Sequence, residues 1–255
     1  MASTSSRSHG LYTLLGAAAI LVGWQLLSLF VPPVYVASPA ATAVALARLA
    51  WGSTLWIQLL ITLERLVIGL AVGAALGWVL GVAAGLDAHV RAFLEPVRWV
   101  GMTMPVVIVA GFALLWFGVG DFTVVLVVAL VVFPTMYVNT VEGLRAIDSN
   151  LVEMGRVYGF SRHLLLREVY VPGIASPSIA GLTLAAGIAV RAVVLAEVLG
   201  AASGIGHSFA RASSLLESDN VFAWTLVLLG LMAVIEFAVL RPVRRRALRW
   251  RKVAE

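Results

Sequence analysis

The 255-residue chain contains no cysteine, which excludes disulfides, thiolate metal ligands and thiol nucleophiles. Charge is nearly as scarce. Asp, Glu, Lys and Arg together make up 12% of residues, about half of the roughly 25% found in soluble domains. So few charges cannot cover a water-facing surface, and a soluble globular protein is excluded. Lys252 is the only lysine among 18 basic residues, which face 13 acids for a net charge of +5. The four histidines, His9, His89, His163 and His207, are scattered, whereas a metal site or a catalytic constellation would need clustered groups. The chain also lacks the Gly-x-x-x-x-Gly-Lys-Ser/Thr loop that cradles nucleotide phosphates, so it is not expected to hydrolyse ATP. Neither a metal nor a cofactor is expected, and the chain reads as a non-enzyme.

What is present is apolar. Hydrophobic residues make up 61% of the chain and mean hydropathy is +1.00. A bilayer core about 30 Å thick needs roughly 20 apolar residues in a helix. Windows of that kind run over 11–31, 66–86, 99–120, 122–141 and 169–190, and a sixth over 221–240 is interrupted by Glu236. The fold class expected is therefore all-α, a polytopic bundle of six transmembrane helices. Only Asp121 separates the third window from the fourth, so Gly118-Val119-Gly120-Asp121 is expected to be a tight turn between antiparallel helices. The first window is longer than the 7 to 15 apolar residues of a secretory signal, and Pro32-Pro33 suits a helix stop, so it is read as a retained span. Residues 34–57 form the longest external loop, with a Ser38-Pro39 helix start.

Arginine distribution orients the bundle, because basic residues collect in short cytoplasmic loops. With both termini inside, 14 of the 18 basic residues are cytoplasmic, and only Arg48 and Arg211 lie in external loops. The chain then divides into a cytoplasmic N-terminus over 1–10, a six-span membrane domain over 11–240 with a cytoplasmic loop at 142–172, and a basic tail over 241–255. Directly after an apolar helix, that tail reads as an anchor on anionic lipid, and no nucleic-acid partner is expected.

Within the second window Gly69, Gly73, Gly77, Gly81 and Gly85 recur every fourth residue. Such a row drifts only about 40° per step and bares one helix face for close packing. Glu64 and Arg65, at the outer start of this window, are read as interfacial anchors, and Glu236 as a group reaching toward Arg241. Arg191 and Glu197 lie deeper. Ionisable groups inside lipid are costly and are functional candidates. Six positions apart on a helix, these two are about 120° out of alignment and do not form a one-face pair. Both are candidates for a translocation path. For Arg191 two readings stand level: a structural partner such as Glu197 or Glu236, or an anion in the path.

In the cytoplasmic loop, Ser149 or Asn150 is expected to cap a short amphipathic helix carrying Leu151, Met154 and Tyr158 on one face, with Glu153 and Arg156 turned away. Gly159 supplies a left-handed stop, Ser161 caps a second short helix through Val169, and Pro172 halts it. This loop carries a resemblance. Glu153-Met154-Gly155, Gly159 six positions after the Glu, and Val169-Tyr170-Val171-Pro172 match the spacing of the EAA signature of importer-type ABC transporter permeases, with Met154 and Gly155 in place of two alanines and Val169 and Val171 in place of Ile and Leu. Leu114-Leu115-Trp116-Phe117-Gly118-Val119-Gly120-Asp121 looks like the corresponding turn of the nitrate, sulfonate, taurine and bicarbonate branch. Phe133-Pro134, Tyr158-Gly159, Ala196-Glu197 and Ser203-Gly204-Ile205-Gly206 echo that branch too.

The resemblance implies a homodimeric permease in a bacterial inner membrane. Two copies of a separate ATP-binding subunit would contact Glu153, Met154, Gly155, Gly159, Val169 and Pro172, and an extracytoplasmic solute-binding protein would deliver the solute. The solute expected is a small anion such as a sulfonate, nitrate, taurine or a carboxylate. A different class, an ion-coupled secondary transporter or channel using Arg191, Glu197 and Glu236, would show an inverted internal repeat. None is visible in the sequence.

Overall fold

A computed structural model describes residues 5–243. Residues 1–4 and the greater part of the basic tail, including Arg244, Arg245, Arg246, Arg249, Arg251 and Lys252, lie outside the described residues. Ten helices and no strand make up the described chain: α1 Ser5–Phe30, α2 Pro39–Trp51, α3 Ser53–Leu86, α4 Ala88–Thr103, α5 Val106–Phe117, α6 Asp121–Arg145, α7 Ser149–Val157, α8 Arg162–Gly200, α9 Ile205–Ser214 and α10 Ser218–Val243.

The core is a three-helix stack of α3, α6 and α8. Its α3–α6 seam is built by the glycine row. A β-carbon at Gly69 would strike Val128, at Gly73 Val132, at Gly77 Met136, at Gly81 Thr140 and at Gly85 Leu144. The partner on α6 thus advances four residues for every four on α3. The two helices therefore run parallel with one constant register over five turns. Without Cβ atoms the backbones close to contact, and dispersion between them replaces the hydrophobic drive that lipid cannot supply. Valines and alanines fill the remaining seams, with Val124, Val127 and Val132 of α6 against Ala185, Ala189 and Val193 of α8.

Before α3, Ser38 caps α2 by accepting from the Ala41 amide at 3.2 Å, and Pro39 occupies its first turn, where a missing N–H costs nothing. Trp24 of α1 donates to the Ala37 carbonyl at 2.9 Å and stacks on Phe222 of α10.

Two helix breaks and one helix cap differ from expectation. Four described helices, α3, α6, α8 and α10, are long and apolar enough to cross a membrane. Helix α1 covers all but the last residue of the first window. The expected third span, 99–120, is instead the meeting of α4 and α5 at an angle of 106°. Hydropathy counts apolar residues but not chain continuity: Pro105 forces Met104 into an extended conformation, with ψ 124°, and the helix restarts in a new direction. Pro172, expected to halt a helix, lies inside α8. A wider π-type turn over Leu166–Tyr170 precedes it, in which the Val171 amide reaches back to Leu166; this local register change carries the helix past the proline. Asp148, rather than Ser149 or Asn150, caps α7, accepting from the Asn150 amide at 2.9 Å.

Candidate functional site: a presented hairpin and a buried charge cluster

The loop between α6 and α8 forms a helical hairpin whose base is fixed to the bundle. Ile147 packs on Gly173, and Pro177 on Gly143, so the ends of α6 and α8 meet without intervening side chains. Within the hairpin, Gly155 is the buried residue of α7 and lies against Leu165 and Phe160. The Phe160 amide returns to the Gly155 carbonyl at 2.9 Å, and Gly159 adopts φ +77°, a left-handed turn that glycine accepts without strain. Ser161 caps the following helix through the Leu164 amide. Because α7 touches its own chain through a glycine, its larger side chains point outward. Leu151, Met154, Val157 and Tyr158 are 49%, 54%, 85% and 74% exposed. Glu153 and Arg156 are exposed beside them, while Val169 is half-buried and Pro172 exposed. The apolar face of α7 is thus presented to the outside.

At the opposite end of the bundle, motifs far apart in the sequence converge on Arg65. This arginine is 3% exposed and Glu197 is 0% exposed. Arg65 Nη1 donates to Glu197 Oε1 and to the Ser203 carbonyl, both at 2.8 Å, and Nη2 donates to Ser203 Oγ at 2.7 Å. Its Nε and Nη2 both donate to Asp121 Oδ1, the former at 3.0 Å. Glu197 also accepts from Thr62 Oγ1 at 2.9 Å and from the Gly206 amide at 2.9 Å, while Thr62 Oγ1 accepts from the Ile205 amide. The Gly204 amide donates to Gln58. Gly204 has φ +101° and sits against the Glu197 carboxylate, and a β-carbon at Gly206 would lie 2.5 Å from the Val194 carbonyl. Those two glycines therefore let the 203–206 turn close over the carboxylate. Arg65 is thus a buried clamp rather than an interfacial anchor, because its guanidinium fork can satisfy acceptors on three residues at once. One signal for this is legible in the sequence: Gln58, Thr62, Arg65 and Gly69 step by four, three and four, so the polar residues continue the buried glycine face of α3.

The three charges weighed for ion coupling do not assemble. Glu197 is engaged by Arg65. Glu236 lies 3.7 Å from Arg241, as its reading as a reaching group anticipated. Arg191 pairs with neither of them; it is exposed on a face of α8 shared with Leu184 and Ile188. Ile188 borders a groove of about 850 Å³ between α4, α5 and α6, lined by Val100, Phe112, Trp116, Leu130 and Phe133. The groove is apolar, and Arg191 sits one turn outward from it.

Comparison with known proteins follows the same lines. The family described as the binding-protein-dependent transport system inner membrane component matches residues 73–246. A protein named as an aliphatic sulfonates transport permease, SsuC, from Escherichia coli is 34% identical over 90% of this chain and 84% of its own length. Its Bacillus subtilis namesake is 29% identical over 95% and 88%. The taurine transport system permease protein TauC of E. coli is 27% identical over 92% and 88%. A chain of the inward-facing MetNI methionine ABC transporter superposes with a TM-score of 0.56 at 20% identity, covering 75% of this chain and 94% of that one, a likeness of fold. With a family match over about two-thirds of its length, this chain belongs to the binding-protein-dependent transport system inner membrane components.

Proposed function

We propose that the chain is the permease subunit of an ATP-driven ABC importer that admits a small sulfonate- or taurine-like anion. It works as a homodimer, with both termini in the cytoplasm, two copies of a separate ATP-binding subunit beneath it and a solute-binding protein outside. The observation that carries this reading is the outward-facing α7 hairpin on a base fixed to α6 and α8. An apolar helix face held rigid and left exposed suits insertion into a groove of a partner. Approach of two ATP-bound subunits would draw the two hairpins together, and the bundle ends they are fixed to would move as rigid bodies to open the path outward.

Gly159→Asp tests the docking. Nothing lies within 4 Å of a β-carbon at Gly159, so the new carboxylate projects off the turn without colliding with its own chain. Aspartate is also among the side chains that tolerate a positive φ best. Helix content should be unchanged while co-purification of the ATP-binding subunit falls at least tenfold and uptake is lost. Full substrate-stimulated ATP hydrolysis in this variant would remove α7 from the coupling role.

Support for an anionic solute comes from the names of the relatives and from Arg191, a lone guanidinium beside an apolar groove, where lipid or a dry path raises the cost of leaving it without a counter-charge. Arg191→Gln should cut uptake of an alkanesulfonate by tenfold or more in an otherwise assembled transporter. Undiminished uptake would leave the guanidinium without a part in solute choice.

A further inference from the structure

A second cavity, of about 520 Å³, opens between α4 and α6 at the end of the bundle that carries α7. It is chemically unlike the apolar groove. Arg91, Glu95 and Arg98 line it from one face of α4, and Tyr137, Glu142 and Arg145 from α6. Two features mark it as built for a ligand. Arg98 is held against Glu95, but Arg91 and Arg145 have no ion-pair partner among the described residues. At the floor, Tyr137 is 1% exposed and its hydroxyl is buried without a hydrogen-bond partner. A buried hydroxyl without a partner is unfavourable, and an acceptor seated in the cavity would relieve that cost. The upper wall, Val138 and Val141, is apolar and continues into the span.

We propose that this crevice binds a phosphate-bearing anion, with Arg91, Arg98 and Arg145 around the phosphate and the Tyr137 hydroxyl donating to one of its oxygens. Three arginines and two glutamates leave one net positive charge, the complement of a monoanionic phosphodiester such as an acidic lipid headgroup, whose acyl chains would lie along Val138 and Val141. Free inorganic phosphate offers the same oxygens without the chains.

The test uses the full chain in detergent, with native mass spectrometry reading retained phosphatidylglycerol against phosphatidylcholine. A separate titration follows thermal stability in inorganic phosphate. Wild-type chain should prefer phosphatidylglycerol by about tenfold or more. Each arginine near an anionic headgroup contributes about fivefold, so Arg91→Gln combined with Arg145→Gln should abolish that preference. Tyr137→Phe keeps the packing and should weaken retention about fivefold. All variants keep Arg241 and the basic tail, so any general attraction to acidic lipid is common to them. If phosphate instead stabilises the wild type in phosphatidylcholine, and does so less in both variants, the site stands and its ligand is the free anion. Equal phosphatidylglycerol retention in wild type and variants, with no variant-sensitive phosphate effect, overturns the proposal. Should the double arginine variant not fold, unchanged lipid and phosphate affinity in Tyr137→Phe overturns it alone.

Discussion

Replacing Glu197 by alanine is expected to destabilise the folded bundle by about 3 to 5 kcal/mol, the usual consequence of stranding one member of a buried ion pair. Three donors lose an acceptor at once, Arg65 Nη1 in part, the Thr62 hydroxyl and the Gly206 amide, and the Thr62 hydroxyl that accepts from the Ile205 amide is no longer held in place by the carboxylate. The guanidinium keeps Asp121 and Ser203, but Asp121 is 80% exposed, so the pair that remains lies in higher dielectric and contributes less. Thermal unfolding in detergent, followed by circular dichroism, should show a markedly lower midpoint for Glu197→Ala. Arg65→Lys should be damaging too, because one ammonium cannot span the carboxylates of Asp121 and Glu197 and the backbone at Ser203. A double-mutant cycle with Arg65→Met should return a coupling energy well above the 0.2–1 kcal/mol of an exposed pair. Simple additivity of the two substitutions would mean that Arg65 and Glu197 are neighbours without being partners.

The second large effect belongs to the α3–α6 seam. A β-carbon at Gly73 would stand 2.5 Å from the Ala129 carbonyl oxygen and 2.9 Å from its Cα, and one at Gly77 2.6 Å from the Phe133 carbonyl oxygen. These neighbours are backbone, which cannot rotate aside. Gly77→Leu should therefore push the helices apart along several turns, forfeiting contacts made by Val132 and Met136 as well as its own, at a cost of several kcal/mol, above the 1 to 3 kcal/mol typical of overpacking a side-chain core. The readout is the yield of monodisperse protein in detergent, which should be nearly nil. Gly230→Ala in α10, where a β-carbon meets nothing within 4 Å, is the matched control and should be neutral or stabilising by up to about 1 kcal/mol from helix propensity. Similar losses at Gly77 and Gly230 would show that glycine is needed here for helix flexibility and not for close approach.

The part of this architecture that repeats along one helix was legible in the sequence. The glycine row, the Gly159 turn, the Ser161 cap and the apolar windows each follow from spacing within a single segment, and the EAA-like spacing pointed to the hairpin. Features that depend on two distant segments were not. Arg65 reads as an anchor until Glu197 and Ser203 are brought beside it, because a charge near a span end has the same sequence signature whether it reaches lipid headgroups or a buried carboxylate. Glu197, expected on a translocation path, is withdrawn from solvent for the same reason. The break at Pro105 was hidden by a different cause: hydropathy averages over the proline. The apolar side of α7 was recognised, but its direction depended on Gly155 occupying the only inward contact.

The constant register between α3 and α6 limits how the bundle can change shape. Five interlocked turns behave like the teeth of a rack: one helix can slip along the other only by a whole repeat of four residues, about 6 Å at 1.5 Å per residue, and every intermediate position drives a side chain into a backbone. A continuous glide along this seam is thereby forbidden, and the two helices travel as one beam. In the importer proposed above, alternation between inward and outward states would be taken up where the chain is jointed, at the elbow of Met104 and Pro105 and at the 201–204 turn, and the beam would carry a displacement at the hairpin to the other end of the bundle.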